Sequence, residues 1–306
     1  MKTAIVIGAS GMDGSLMCEL LLSKGYMVHG SYASNKRWVE NLFHPNFTLH
    51  KFDLSNENAI WKFILNLKPD EVYNFGGVTF SPDSERLPMY TKAVNHSAVF
   101  KLIEVCFHNK IKLFQASSSE VFGNIKDTQL DENSPRSPHT PYADAKNEVD
   151  LMMRQMRKEE GALFYNAISF NHECERRGLH FLPAKICNYV KQLRNGVAPR
   201  YLKLGSYNSR RDWGYAPDFV QGFYDQVQGK PSELVFATGI THSVEDLLKK
   251  AFEPHGYSFW DYTSIDPELQ RPNERDNIWG DYSKAKETIG WQPTTNFDDF
   301  IYKMTL

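Results

Sequence analysis

The segment TAIVIGASGMDG (Thr3–Gly14) places glycines at 8, 11 and 14 directly after a short apolar run and ahead of an amphipathic stretch carrying Leu16, Leu20 and Leu21. Few folds run a strand into a helix through glycines spaced this closely. Glycines let backbone N–H groups approach a pyrophosphate, and the helix N-terminus adds partial positive charge. Opening a strand–helix–strand unit, Gly8, Gly11 and Gly14 read as a dinucleotide turn; outside that context they would be only a tight turn.

The rest of the chain supplies the context. Strand-like runs recur at Thr3–Gly8, Met27–Tyr32, Phe47–Leu54, Glu71–Gly76, Lys112–Ser117 and Ala162–Phe170. Amphipathic stretches separate them, for example Ile60, Phe63, Ile64 and Leu67 at helical spacing. This alternation calls for right-handed crossovers and a parallel sheet covered on both faces. After about Phe170 the rhythm loosens, and from Thr241 onward short helical pieces dominate, which suggests a smaller lobe laid over the first. Ligands of such sheets bind at the carboxyl ends of the strands.

Composition excludes several classes. The 306 residues are 41% hydrophobic with a formal net charge of -2, so no basic stripe points to nucleic acid. Cys18, Cys106, Cys174 and Cys187 lie far apart, without metal-ligand spacing, and reduced thiols are the expectation. The first apolar stretch stops at Gly8, too short for a secretory core or a membrane span. No membrane partner and a cytoplasmic location follow as expectations.

Charge speaks to the cofactor. An NAD site usually carries a carboxylate at the end of the second strand; here the chain reads Ser31-Tyr32-Ala33-Ser34-Asn35-Lys36-Arg37. Lys36 or Arg37 could pair with a 2′-phosphate, so NADP is preferred over NAD. Asp53 could accept from the adenine amino group or cap the next helix. In PYADAKNEV, Tyr142 and Lys146 stand four apart, on one helical face. A nearby ammonium, together with the cofactor's positive ring, favours phenolate and should lower the tyrosine towards the range of a useful base.

The combination GASGMDG, ASSSEVFG (Ala116–Gly123) and YADAK resembles the extended short-chain dehydrogenase/reductase family. The resemblance implies an α/β, Rossmann-type doubly wound parallel sheet with a smaller C-terminal substrate-binding lobe. On it, residues 1–170 would form the NADP domain, with a returning segment at about 212–240, and 171–211 with 241–306 the nucleotide-sugar lobe. It implies Ser118, Tyr142 and Lys146 as the hydride-transfer group. The cofactor shell would include Met12, Asp13, Leu54, Asn74, Gly76 and Asn95. Glu120 then narrows the reaction, because a carboxylate beside the sugar can remove the C5 proton and protonate a departing C6 hydroxyl. A single Glu after Ser resembles GDP-mannose 4,6-dehydratases and also UDP-glucuronate decarboxylases.

Three later segments separate these relatives: FNHECERRG (Phe170–Gly178), LGSYNSRRDWG (Leu204–Gly214) and RPNE (Arg271–Glu274). All resemble the GDP-mannose 4,6-dehydratase signatures, and the likeness continues through GDYSKAKETIGWQP. It implies a GDP-linked sugar held by Thr79, Asn171, Arg177, Lys185, Arg211, Arg271 and Glu274, with no metal. Three arginines in three loops suit a diphosphate. Val78, Thr79 and Phe80 depart from the family and should lie near the hexose, and Cys174-Glu175 replaces its S-P pair. The loop after Tyr32 is shorter than the family's, which favours a homodimer over a tetramer. Trp213, Trp291 and His172 read as structural. An epimerase, a decarboxylase and a non-catalytic NADP sensor are the alternatives.

Overall fold

The computed structural model describes residues 1–123, 125, 127–270 and 277–306. The apolar runs form strands β1 (Thr3–Ile7), β2 (Met27–Tyr32), β3 (Phe47–Lys51), β4 (Glu71–Asn74) and β5 (Lys112–Ala116), followed by the strand Phe164–Ser169. Most stop short of the apolar run's end, because the final residues leave the sheet to build the loops at its carboxyl edge. A seventh strand, Glu233–Phe236, returns beside Phe164–Ser169 after the loosened region.

All seven pair in parallel, in the order Glu233–Phe236, Phe164–Ser169, β5, β4, β1, β2, β3. β1 therefore lies between β2 and β4, and the chain leaves it in one direction and later returns on the other side. The crevice above the carboxyl ends of β1 and β4 is where such a sheet takes a ligand. Strand Phe164–Ser169 is buried at every position, as a strand covered on both faces must be.

Two apolar layers cover the sheet. On one face helix α1 (Met12–Ser23) and the helix Ala216–Gln228 enclose Val6, Met17, Leu21, Phe114, Phe219 and Phe223. On the other, helices Glu57–Leu67, Ala98–His108 and Pro141–Glu160 enclose Ile5, Ile7, Ile60, Leu102 and Val149. A separate cluster joins helices Leu182–Arg194, Val244–Phe252 and Phe297–Thr305 around Trp213, Leu202 and Leu204. Beside it, strand Arg210–Tyr215 pairs with both Asn171–Glu173 and Thr241–Ser243. Trp213 and Trp291 are both core residues, in different clusters. Among the described residues no helix is long and apolar enough to cross a membrane.

The turn between β1 and α1 is packed to its limit. Gly8 has φ +78°, a conformation that side chains avoid, and the Gly11 N–H donates to its carbonyl oxygen at 3.0 Å. A Cβ added at Gly14 would stand 2.2 Å from that same oxygen. Backbone cannot swing aside as a long side chain can. Gly14→Ala should therefore lose roughly 1–3 kcal/mol of stability together with nucleotide affinity, measured by thermal unfolding with and without nicotinamide nucleotide. An unchanged Tm would show that the turn has slack.

Candidate active site

At the end of β5 the chain continues as Ser117 and Ser118 into a single tight turn, Ser119–Phe122. Ser118 starts that turn, its Oγ accepting the Glu120 N–H at 3.2 Å. The helix Pro141–Glu160 begins beside it. Thr140 caps it by accepting the Ala143 N–H at 3.1 Å, and Pro141, which has no N–H to lose, takes the first position. The first turns carry Tyr142 and Lys146, 8% and 6% exposed. Lys146 Nζ donates to the carbonyl oxygen of Ala116 at 2.6 Å and lies 5.8 Å from the centre of the Tyr142 ring. The Ser118 hydroxyl hydrogen-bonds the phenol, and the Glu120 carboxylate is close enough to act on it electrostatically. Ser81 Oγ donates to Glu120 Oε2 at 3.0 Å. Ser118, Glu120, Tyr142 and Lys146 thus converge from two separate segments.

The electrostatics differ from what spacing suggests. Burial pushes the Tyr142 phenol up, and Glu120 adds to the rise; the Ser118 hydrogen bond and the Arg177 guanidinium oppose it without reversing it. Lys146 is not among the groups that move the phenol, and it is itself stripped of water. Burial pulls its ammonium down to about 8, with the Asp150 carboxylate holding against the fall.

Asp150 belongs to a buried charge cluster that the motifs do not announce. It is inaccessible to solvent, one helical turn beyond Lys146, and accepts from Ser117 Oγ at 2.5 Å, Asn166 Nδ2 at 2.8 Å and Arg136 Nη1 at 3.2 Å. Burial pushes its carboxyl up to about 6, with Arg136 opposing. Arg136 also pairs with Glu233 at 2.9 Å, which Arg154 joins. A carboxylate four residues after the lysine was the only sequence signal, and it reads equally well as an exposed helix charge.

The cofactor-side candidates gather at the carboxyl ends of β1 and β4. Gly8, Gly11 and Gly14 form the turn described above, and Met12 is buried against Cys174 and Ala216. Asp13 Oδ2 lies 3.1 Å from His172 Nε2; burial raises its carboxyl, but His172, with Arg177, more than offsets that and leaves it below the usual value. Asn74 Oδ1 accepts the Gly76 N–H at 3.0 Å, and Leu54 packs where a Cβ on Gly76 would fall. Asn95 grips Val78 with two hydrogen bonds of 2.8 Å and so shapes the loop after β4. Lys36 and Arg37 are exposed beyond β2, with Lys36 Nζ 5.7 Å from the Tyr32 ring centre. Asp53 does not cap the next helix, whose first turn follows Asn56; its carboxylate instead accepts the Ser55 N–H at 2.9 Å.

The substrate-side candidates are more dispersed. Thr79 and Asn171 are exposed. Arg177 donates to Glu173 Oε2 at 2.6 Å and to the His172 carbonyl oxygen, and stacks 4.4 Å from the Phe181 ring centre. Its charge reaches both Asp13 and Tyr142. Lys185 Nζ donates to the Lys203 carbonyl oxygen at 2.9 Å, and Arg211 donates to that of Arg210 at 2.6 Å. Arg271 and Glu274 lie outside the described residues. Spacing did not anticipate Arg176, which forks onto Glu19 at 2.8 and 2.9 Å and onto Ser15 at 3.0 Å, clamping α1.

Comparison with known proteins agrees with this geometry. A sequence-family profile described as GDP-mannose 4,6 dehydratase matches residues 5–304. The chain is 36% identical to GDP-mannose 4,6 dehydratase 1 of Arabidopsis thaliana, over 99% of this chain and 88% of that protein. It is 31% identical to the GDP-mannose 4,6 dehydratase of Homo sapiens, over 99% and 90%. Among solved structures, the UDP-glucose 4-epimerase of Thermotoga maritima with UDP-glucose superposes with a TM-score of 0.88 at 20% identity, over 99% of this chain and 97% of that one. The dTDP-glucose 4,6-dehydratase of Bacillus anthracis in complex with NAD gives 0.85 at 18%, over 100% and 96%. At such identities the structures establish the shared fold.

Lys146 offers a test of the site's electrostatics. Free lysine titrates at 10.5 and the buried one at about 8, so between those values the unfolded chain holds a proton that the folded chain does not. This group's contribution to stability therefore rises with pH across that window, and below about 8 it costs the fold roughly 3 kcal/mol. Lys146→Met should abolish turnover yet match or exceed the wild-type Tm at pH 7, and lose that advantage by pH 10. A wild type that falls further behind the variant as pH rises would contradict the assignment.

Proposed function

The chain belongs to the GDP-mannose 4,6-dehydratase family, and on that premise we propose that it removes water from a GDP-linked hexose to give a 4-keto-6-deoxy sugar. One observation carries the reading: a carboxylate, Glu120, shares the site of the Tyr142 phenol and the Ser118 hydroxyl. A reaction confined to carbon 4 needs a hydroxyl and a base; elimination across C5 and C6 needs a further acid and base.

The glycine turn and the crevice above β1 and β4 fit a nicotinamide dinucleotide, since the turn admits no Cβ at Gly14 and leaves backbone N–H groups at the start of α1 to face a pyrophosphate. Lys36 and Arg37, in place of a carboxylate, favour NADP over NAD. A nicotinamide held there would supply the hydride chemistry, as acceptor from sugar C4 and donor to C6. Tyr142, as the phenolate, takes the proton of the C4 hydroxyl and becomes the phenol, with Ser118 orienting that hydroxyl and the Lys146 ammonium holding the phenolate before the transfer. The C4 ketone makes the C5 proton acidic. Glu120 removes that proton, the C5–H electrons become the C5–C6 double bond, and the C6 hydroxyl leaves as water with a proton from Glu120. Hydride addition at C6 and a proton at C5 complete a product one water lighter, with the cofactor regenerated.

Residues 171–211 and 241–306 are proposed as the nucleotide-sugar lobe, with Asn171, Arg177, Lys185 and Arg211, and with Arg271 and Glu274 of the RPNE segment, as its ligand-side groups. Thr79 follows β4 at the hexose end. Exposed Leu151 on the helix Pro141–Glu160 suits pairing of two chains along that helix in a homodimer.

GDP-mannose and related GDP-hexoses in deuterated buffer should yield a product lighter by one water with deuterium at C5, read by mass spectrometry. A product of unchanged mass would mean epimerisation. Glu120→Gln should retain nicotinamide nucleotide while turnover falls about 10²–10⁴-fold; near-normal turnover would defeat the assignment. Replacing Lys36 and Arg37 together by Ala should weaken NADP about tenfold or more while sparing NAD, in a titration by nucleotide fluorescence.

A further inference from the structure

The helix Ser81–Arg86 follows directly on Thr79 and Phe80. A serine opening a helix ordinarily turns its oxygen onto that helix's own N–H groups. Ser81 does not: the N-cap position is Phe80, and no side chain caps the turn. The Ser81 hydroxyl points across the site instead, donating to Glu120 Oε2 at 3.0 Å from 39 residues away in sequence, with Thr140 Oγ1 at 3.4 Å on its other side. Thr140 is tied in turn to the first turn of the Tyr142 helix through the Ala143 N–H. The backbone under Ser81 is itself held, because buried Ser84 donates to the Ser81 carbonyl oxygen at 2.6 Å. Half-buried and anchored at its base, Ser81 links three segments: the hexose-side loop, the Glu120 turn and the start of the Tyr142 helix.

We propose that Ser81 is a positioning residue for the water-elimination step, its hydroxyl holding the Glu120 carboxylate where it meets the C5–C6 edge of the sugar. A glutamate side chain turns about several bonds, and confining it costs rotamer freedom. A fixed donor meets that cost before substrate arrives, and misplacement of a reacting group by about 1 Å costs on the order of 100-fold in rate. The hydrogen bonds of this hydroxyl run to Glu120 and Thr140 rather than to Tyr142 or Lys146, the groups placed at hydride removal from C4. Ser81 therefore divides the reaction, acting on the second half and sparing the first. Its place directly after the hexose-side loop also links the sugar's fit to the aim of the base. The inference rests on the dehydratase reading and extends it to a residue outside the family motifs.

The test uses the holoenzyme with a GDP-hexose that the wild type dehydrates, and compares Ser81→Ala with Ser81→Thr. Single-turnover absorbance of reduced nicotinamide reports hydride removal from C4; C5 deuterium and product mass report elimination. Ser81→Ala should keep hydride removal within about twofold of wild type while C5 exchange and product formation fall about 10–100-fold, so that reduced nicotinamide accumulates. Ser81→Thr, which retains the hydroxyl, should restore most of the loss. Unchanged elimination in Ser81→Ala would overturn the proposal. So would an equal slowing of both phases with a lowered Tm, which would mark a structural role. A wild type that oxidises GDP-hexoses without losing water would instead bring down the dehydratase reading, and this inference with it, before any variant is compared.

Discussion

The two segments on which the site depends are joined at its centre by the hydrogen bond from Lys146 Nζ to the carbonyl oxygen of Ala116, at 2.6 Å. It ties the second turn of a long helix to the end of a central strand, and so places Tyr142 over Ser118 and Glu120. It also requires a cation where there is almost no water. The Asp150 carboxylate one turn further on holds that cation against its desolvation, and is held in turn by Ser117, Asn166 and Arg136. Removing Asp150 or Arg136 leaves the buried charges around it uncompensated, at a cost of about 3–5 kcal/mol. These supports under the helix therefore cannot be trimmed one residue at a time.

A second dependence runs between the lobes. FNHECERRG, whose likeness to a nucleotide-sugar motif suggests ligand contacts, also grips the cofactor turn: His172 meets Asp13, and Arg176 forks onto Glu19 in α1. Arg177 is drawn inward by Glu173 and stacked on Phe181. Adjacent arginines thus do different work, one clamping the dinucleotide helix and the other carrying charge towards Asp13 and Tyr142. Nη2 of Arg176 reaches both oxygens of Glu19 while Nη1 takes Ser15 Oγ, so the guanidinium holds α1 at two points. The glycine turn and the helix that follows it are therefore held in part by residues 172 and 176, far along the chain.

Much of this was legible in advance where local rules suffice. The glycine triplet, the strand runs and the Tyr–Lys spacing depend on steric demands of a few consecutive residues, and the structure has each of them, with most strands ending one to three residues early. The phenol's affinity for its proton was not legible. Four-residue spacing shows that Lys146 lies on Tyr142's face but not that both lose their water, and burial dominates the electrostatics of the pair. The hydroxyl of Ser81 on Glu120 was equally hidden, because no local rule relates positions 81 and 120.

The chain by itself determines a parallel sheet with a phosphate-binding turn, since alternation of strand and helix periods and unbranched backbone at Gly8 and Gly14 are properties of adjacent residues. It also determines which family's motifs the chain carries. Only the tertiary structure decides that Asp150, Arg136 and Glu233 form one buried cluster, that Arg176 and Arg177 part company, and that Ser81 faces a carboxylate. Those pairings arise between segments far apart in sequence, and their energies depend on how much water the fold expels from between them.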